Sequence, residues 1–160
     1  VHNTSYTLPE ALAGTYSAII YNTAEKISIN GTAATVKTDN NTLDPAPGWL
    51  FTYTGEITFE AGKEKTVTAT MVQQVRQLSF DFTITGGNAD NLQSITASLS
   101  GVANGMDFKA NTYTGSGLFV VPNLTRDGNT LTGARRLIVI TGTQNITLNL
   151  KYTDGKEQTI

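Results

Sequence analysis

The sequence predicts an all-β protein, folded as an antiparallel β-sandwich of two sheets with about eight to ten strands. Apolar residues alternate with polar ones at a period of two, which places one face of each strand against a core. Threonine makes up about one residue in six and suits the solvated face of a sheet. Turn residues interrupt the pattern about every ten residues, which favours a sandwich over βαβ units.

The clearest alternation runs through residues 51–85. Its odd-numbered positions are apolar up to Met71, and its even-numbered positions are apolar from Leu78 onward. A strand cannot change parity without an extra residue or a break, so we predict a bulge or a crossing between sheets at residues 72–75. Residues 66–71 alternate threonine with apolar residues and predict a strand of their own. The residues expected to be buried are Phe51, Tyr53, Ile57, Phe59, Leu78, Phe80, Phe82, Ile84, Ile95 and Leu99.

The N-terminal part predicts at most one short helix. Residues 7–10 match a capping box, and Gly14 would end the helix after about two turns. Residues 14–22 predict a strand with apolar residues on both faces, and therefore a central strand covered on two sides. Residues 26–37 predict a hairpin around Asn30-Gly31, a pair that favours a tight turn.

The C-terminal part predicts further strands. Residues 137–140 form a continuous apolar run, which indicates a strand buried on both faces. Residues 146–152 alternate cleanly, and Asp154-Gly155 then opens a hairpin whose returning arm is only residues 157–160. An arm this short leaves main-chain groups unpaired, so we expect a strand edge there that an incoming strand can pair. Residues 1–160 are expected to form a single β-sandwich domain.

Composition excludes several classes of partner. The net charge is −2 and the pI about 5.3, with no basic stripe of the kind that nucleic-acid binding requires. No run of 18 apolar residues is present, so the sequence predicts no transmembrane segment. The absence of cysteine excludes disulfides, thiolate metal sites and a cysteine nucleophile.

The sequence predicts no catalytic, cofactor-binding or metal-binding residue, and therefore a protein that is not an enzyme and needs no cofactor. The only histidine, His2, lies at the terminus, where no rigid shell would orient it. Glu56 and Glu60 would lie roughly 13 Å apart along a strand, beyond the separation that glycoside hydrolysis requires. The acidic loop around Asp39, Asn41 and Asp44 lacks the glycine and closing glutamate of an EF-hand, so we expect a solvated loop.

Four groups of segments carry a family resemblance. They are residues 12–16 leading to 20–22; residues 50–55 with 65–71 and 75–76; residues 94–103; and residues 137–155. In this combination the chain resembles the fimbrillin-like surface proteins of the Bacteroidales, including the anchor-type fimbrial subunits. The resemblance implies a transthyretin-like sandwich, one of two in many members. It also implies a secreted, usually lipid-anchored protein of the outer membrane, although the lipid-bearing cysteine of the family is absent here.

The function expected from this resemblance is that of a fimbrial or adhesive component of the cell surface. Its partners would be other fimbrial subunits, joined through strand edges. The alternative is a carbohydrate-binding module of a surface glycan-uptake system, because sandwiches commonly bind sugars and Trp49, Tyr53 and Tyr113 could form an aromatic platform. Fold alone does not choose between these functions.

Overall fold

The computed structural model describes residues 5–8, 10–43 and 46–160, and β-strands dominate it. The described residues include one 3₁₀ turn, Ala89–Asn91, which is capped by the Asn88 side chain, whose oxygen accepts the Asp90 N–H at 2.9 Å. The strands are β1 (Gly14–Tyr21), β2 (Ile27–Asn30), β3 (Ala33–Val36), β4 (Thr38–Asp39), β5 (Thr42–Leu43), β6 (Phe51–Phe59), β7 (Val72–Gln73), β8 (Arg76–Thr83), β9 (Leu92–Ala103), β10 (Gly105–Asp107), β11 (Thr112–Thr114), β12 (Leu118–Val120), β13 (Asn123–Asp127), β14 (Thr130–Leu137), β15 (Val139–Ile140), β16 (Ile146–Tyr152) and β17 (Glu157–Thr159). The predicted all-β fold is confirmed, but the described residues form 17 strands rather than the eight to ten predicted, because several of them are only two or three residues long.

These strands form four hydrogen-bonded sheets. The largest has the order β17-β16-β9-β12-β5-β4, with β15 also paired to β9. The others are β13-β14-β8, β11-β10-β3-β2 and β1-β6-β7. The pairings are antiparallel apart from the single parallel contact of β12 with β5. Sheet β13-β14-β8 lies opposite β9, β16 and β17, which confirms the sandwich of two layers.

A hydrophobic core joins the sheets. Its members come from β3, β5, β8, β9, β10, β12 and β14 and from connections between strands, so it fixes how the sheets are placed against one another. Burying each of these aliphatic side chains stabilises the fold by about 1.5–3 kcal/mol. The most deeply buried are Val36, Leu50, Val75, Val102, Val120 and Ile138.

The predicted register break at residues 72–75 is confirmed as a change of sheet. Strand β7 pairs with β6, whereas β8 pairs with β14 in another sheet. The Gln74 N–H still donates to the Leu50 carbonyl at 2.8 Å, and Val75 is fully buried at the crossing. The apolar run 137–140 also changes sheet, because β14 ends at Leu137 and β15 pairs with β9. It is therefore two strands rather than the one predicted.

The predicted burial of β6 is wrong for its first residues. Phe51 is 36% exposed, whereas Thr52, on the face expected to be solvated, is only 2% exposed. Thr52 can be buried because its hydroxyl accepts a hydrogen bond from Gln74 Nε2 at 2.8 Å. Of the other nine residues expected to be buried, Phe80 and Leu99 are buried and seven are half-buried.

Three other expectations for the N-terminal half are corrected. The helix predicted over residues 7–13 is absent from its described residues, and Pro9 lies outside them. An isolated segment of two turns is too short to be a stable helix without packing, and Leu12 is 83% exposed. Strand β1 ends its sheet instead of lying at the centre. Residues 66–71 form no strand, and Val67 and Met71 are exposed.

Both predicted hairpins are present. Strands β2 and β3 pair as Asn30 opposite Ala33, with Gly31 in the turn at a φ of 59°. Strands β16 and β17 pair as Lys151 opposite Glu157, with Gly155 in the turn at a φ of 85°. Glycine adopts these positive φ values without steric cost, which is why the turns can be recognised in the sequence.

Replacing Phe80 with alanine should lower the free energy of unfolding by about 3–5 kcal/mol, because it leaves a cavity in the core. The Phe80 ring is buried and stacks on Phe82 at a centroid distance of 6.2 Å. Urea denaturation followed by circular dichroism measures the change. Phe51→Ala is the matched control and should cost less than Phe80→Ala, because 36% of Phe51 is exposed against 6% of Phe80. Equal losses of unfolding free energy for both variants would contradict the observation that Phe51, on β6, is exposed whereas Phe80 is buried.

Candidate functional site

The residues considered for chemistry do not come together in a site. Among the described residues, no group of three or more His, Asp or Glu side chains could hold a metal ion. His2 and Asp44 lie outside the described residues. Asp39 is exposed at the end of β4 and Asn41 in the β4–β5 turn, and Glu56 and Glu60 are exposed at the surface. The expected absence of catalysis and metal binding therefore stays a prediction.

The candidate site is a cavity of about 480 Å³ between the two layers of the sandwich. Strands β8 and β14 form one wall, and β9, β16 and β17 form the other. No side chain that lines the cavity carries a formal charge. Apolar side chains make up most of the lining, so an apolar ligand or apolar side chains fit it best. The polar lining residues are Thr83, Thr85, Asn88, Asn91 and Gln158. The apolar lining residues are Phe82, Ile84, Leu92, Ile95, Leu131, Leu148, Leu150, Tyr152 and Ile160.

Much of this lining belongs to the faces that the alternating patterns assign to the interior. Phe82 and Ile84 come from the even-numbered pattern that begins at Leu78, and Leu148 and Leu150 come from the last alternating strand. These four side chains are half-buried because the two layers do not close over them. The sequence therefore predicted which residues face inward, but carried no signal that their space stays open.

Free strand edges flank the cavity. Among the strands that the structure describes, β8 pairs only with β14, and β17 only with β16. Ile160 and Leu148 exchange main-chain hydrogen bonds of 2.9 and 2.8 Å. Because hydrogen-bonded and non-hydrogen-bonded pairs alternate in an antiparallel ladder, Gln158 also bonds β16, and the N–H groups of Glu157 and Thr159 point away from it. The outer edge of β17 thus presents unpaired main-chain donors beside an apolar cavity.

The opposite side of the same two layers is tied together. Arg126 on β13 donates to Asp90 at 3.0 Å and to the Leu92 carbonyl at the start of β9 at 3.5 Å. These bonds hold β13 close to β9. In one layer β14 lies between β13 and β8, and in the other β16 lies between β9 and β17. The two layers are therefore joined on the side of β13 and β9, and they are open on the side of β8 and β17.

Charged groups lie at the tip of the last hairpin rather than in the cavity. Lys156 Nζ lies 2.8 Å from Asp154 Oδ2, and this hydrogen bond, with the Lys156 N–H, lowers the pKa of Asp154. A lowered pKa means that the contribution of this contact is present at neutral pH and lost as the pH falls through that pKa. The polar rim of the cavity includes Tyr152, whose hydroxyl donates to Gln158 Oε1 at 2.9 Å.

The aromatic platform considered for sugar binding is not a single surface of one sheet. Trp49 is 40% exposed, but the Arg136 guanidinium lies 5.3 Å from its ring centroid and covers one face. Tyr53 on β6 lies against Gly55, and Tyr113 belongs to β11 in a different sheet. Arg136 itself is half-buried, with Nη2 donating to the Ala46 carbonyl.

Comparison with known protein families shows to which family the chain belongs. A sequence profile described as fimbrillin-A associated anchor proteins Mfa1 and Mfa2 matches residues 2–160. The chain belongs to this family. The resemblance seen in the sequence is thereby confirmed, and it covers nearly the whole chain. No curated protein sequence matches at a significant level.

Two solved structures share the fold of this family member. A candidate adhesin from Bacteroides ovatus ATCC 8483 aligns with a TM-score of 0.71 at 16% identity, covering 92% of this chain and 64% of that chain. A second candidate adhesin from Bacteroides ovatus aligns with a TM-score of 0.64 at 10% identity, covering 92% and 57%. This chain therefore spans about 60% of the length of these two proteins. In its described part, no helix is long and apolar enough to cross a membrane.

Calcium ions should leave the melting temperature unchanged, because we expect no calcium site in this chain. A calcium ion that bound only the folded state would raise the melting temperature. Differential scanning fluorimetry with calcium chloride measures this. Magnesium chloride at equal ionic strength is the control for general salt effects. An increase of several degrees in calcium alone would contradict the prediction and would direct attention to the acidic loop around Asp39.

Proposed function

We propose that this chain is a non-enzymatic structural or adhesive protein of the cell surface, a fimbria-associated component that joins other fimbrial subunits through a strand edge. Membership of the fimbrillin-A associated anchor family supports the general role. The single observation that carries the mode of assembly is the free outer edge of β17 beside an uncharged apolar cavity.

The cavity and the edge fit the same kind of partner. An extended strand that pairs with the outward groups of Glu157 and Thr159 places every second side chain toward the sandwich. Apolar side chains at those positions would cover the half-buried Leu148, Leu150 and Phe82. A strand with alternating apolar and polar residues therefore satisfies the main-chain donors and the apolar walls together, which a compact ligand would not do.

The location and extent of the full-length protein belong to the same proposal. We place it at the outer membrane, anchored by a lipid on a part of the protein outside these 160 residues. We also propose that residues 1–160 form one sandwich domain, one of two in the full-length protein. The greater length of the two structural neighbours supports this arrangement, because each extends beyond the region that aligns.

Thr159→Pro in the full-length protein should weaken assembly by about two- to tenfold while the melting temperature stays nearly constant. Proline removes the outward N–H of Thr159, worth about 0.5–1.5 kcal/mol, and leaves the bonds of β17 to β16 in place. The measurements are the number of fimbriae retained on cells by electron microscopy, and the affinity of the purified protein for the fimbrial subunit.

Two variants separate the edge from other effects. Thr159→Val keeps the N–H and removes only the 2.8 Å hydrogen bond from the hydroxyl to Asn149, so assembly should be retained. Gln158→Pro removes a donor that faces β16, so it should lower the melting temperature. Unchanged assembly of Thr159→Pro, or loss of its fold, would remove β17 as the assembly edge.

The alternative of a carbohydrate-binding module depends on the exposure of Trp49 and Tyr113, which lie in different parts of the fold. Trp49 is the only tryptophan, so its fluorescence reports directly on any sugar stacked there. We expect no change on adding host or dietary glycans. A saturable change that Trp49→Phe abolishes would favour the module over the fimbrial role.

A further inference from the structure

Strand β1 is a second free edge, in a different sheet from β17. It pairs with β6 over all of its eight residues, without a bulge, and with no other strand in the described part of the chain. Strand edges are normally protected by a charged residue, a proline, a bulge or short length. The sequence of β1, GTYSAIIY, has none of these protections, and its larger side chains Tyr16, Ile19, Ile20 and Tyr21 are 40–48% exposed.

The hydrogen-bond pattern fixes which groups of β1 point outward. Asn22 lies opposite Phe51 and donates its N–H to the Phe51 carbonyl at 3.4 Å. By the alternation of an antiparallel ladder, the even-numbered residues of β1 bond to β6. The hydroxyls of Thr15 and Thr58 approach to 3.0 Å, as side chains do in the closer, non-hydrogen-bonded pairs. Residues 15, 17, 19 and 21 therefore direct their main-chain N–H and C=O groups away from the sheet.

We propose that β1 pairs antiparallel with β1 of a second copy of this chain, around a two-fold axis at Ala18. The outward groups are odd-numbered in both copies, so odd residues must face odd residues. Centring the pair on Ala18 sets Tyr16 opposite Ile20 of the second copy, and Ser17 opposite Ile19. Aromatic and β-branched residues directly opposite each other stabilise antiparallel pairs. Each such contact occurs twice because of the symmetry.

The chemistry of the edge favours a second copy over an unrelated strand. No residue of β1 is charged, and the two charged residues that lie beside residues 17–19, Glu56 and Lys109, are of opposite sign, so two copies meet without a net like-charge repulsion. The pairing also extends an apolar face, because Tyr16 already packs edge-on against Phe59 of β6 at 5.7 Å. Centring the pair on Ser17 instead would set Tyr16 opposite Ala18 and Ile20 opposite Gly14, which removes both aromatic contacts with isoleucine. The resulting sheet has the order β7-β6-β1-β1-β6-β7.

Cysteine cross-linking tests the register directly, because the chain contains no cysteine. In Ala18→Cys the two sulfur atoms face each other across a non-hydrogen-bonded pair, with Cα atoms about 4.5 Å apart. That separation lies within the range for a disulfide. We expect a reducible dimer to form on mild oxidation, at least about tenfold faster than for Ser17→Cys, whose two copies lie diagonally at roughly 7–8 Å. Lys156→Cys, in the last turn, measures the rate of random collision.

Sedimentation equilibrium of the unsubstituted chain should show a dimer whose proportion rises with concentration. Ile19→Pro removes an outward donor and should weaken it about tenfold with the circular dichroism spectrum retained, whereas Ile19→Val should dimerise normally. Equal cross-linking of the three cysteine variants would overturn the proposal, whether or not Ile19→Pro folds. The proposal would also be overturned if the chain stays monomeric by itself and pairs through β1 only after another fimbrial subunit is added. The two proposals can fail separately, because β17 takes no part in the pairing of β1. Absence of the β1 dimer would leave assembly through β17 untouched, and absence of assembly through β17 would leave the β1 dimer untouched.

Discussion

The pairing of main-chain N–H and C=O groups is the constraint on which the arrangement of this protein depends. The core around Leu50, Val75 and Ile138 fixes the positions of the sheets, but each sheet still ends in a strand that is paired on one side only. Water can satisfy these groups in the free protein, and another strand can satisfy them in an assembly. The chain belongs to a family of fimbria-associated anchor proteins, and we propose that its assembly acts at such an edge.

Local patterns predicted most of the fold. The alternations in β8, β9 and β16 mark real strands, and the glycines at 31 and 155 mark real hairpins. The change of parity after Met71 predicted the crossing at Val75, because a shift of one residue exchanges the faces of a strand. These features depend on neighbours in the sequence, so one sequence is enough to read them.

What the sequence could not show is which faces the rest of the chain covers. Strand β1 has apolar residues on both faces and was therefore predicted at the centre, yet it is an edge. The polar Thr52 is buried through its bond to Gln74, while Phe51 is exposed. Part of the cavity lining, including Phe82, Ile84 and Ile95, was predicted as interior, but the openness of the cavity depends on how far apart β8 and β17 lie.

Hydrogen exchange of single amides in β17, followed by NMR, is the most direct measurement of the central claim that this strand is ordered and open on one side. The ladder predicts that the amides of Gln158 and Ile160, which bond to β16, are protected. The amides of Glu157 and Thr159 should exchange close to the rate of an unstructured chain, and should become protected when the fimbrial subunit binds. Equal protection of all four amides in the free protein would mean that the outer edge is already covered, and would contradict the account.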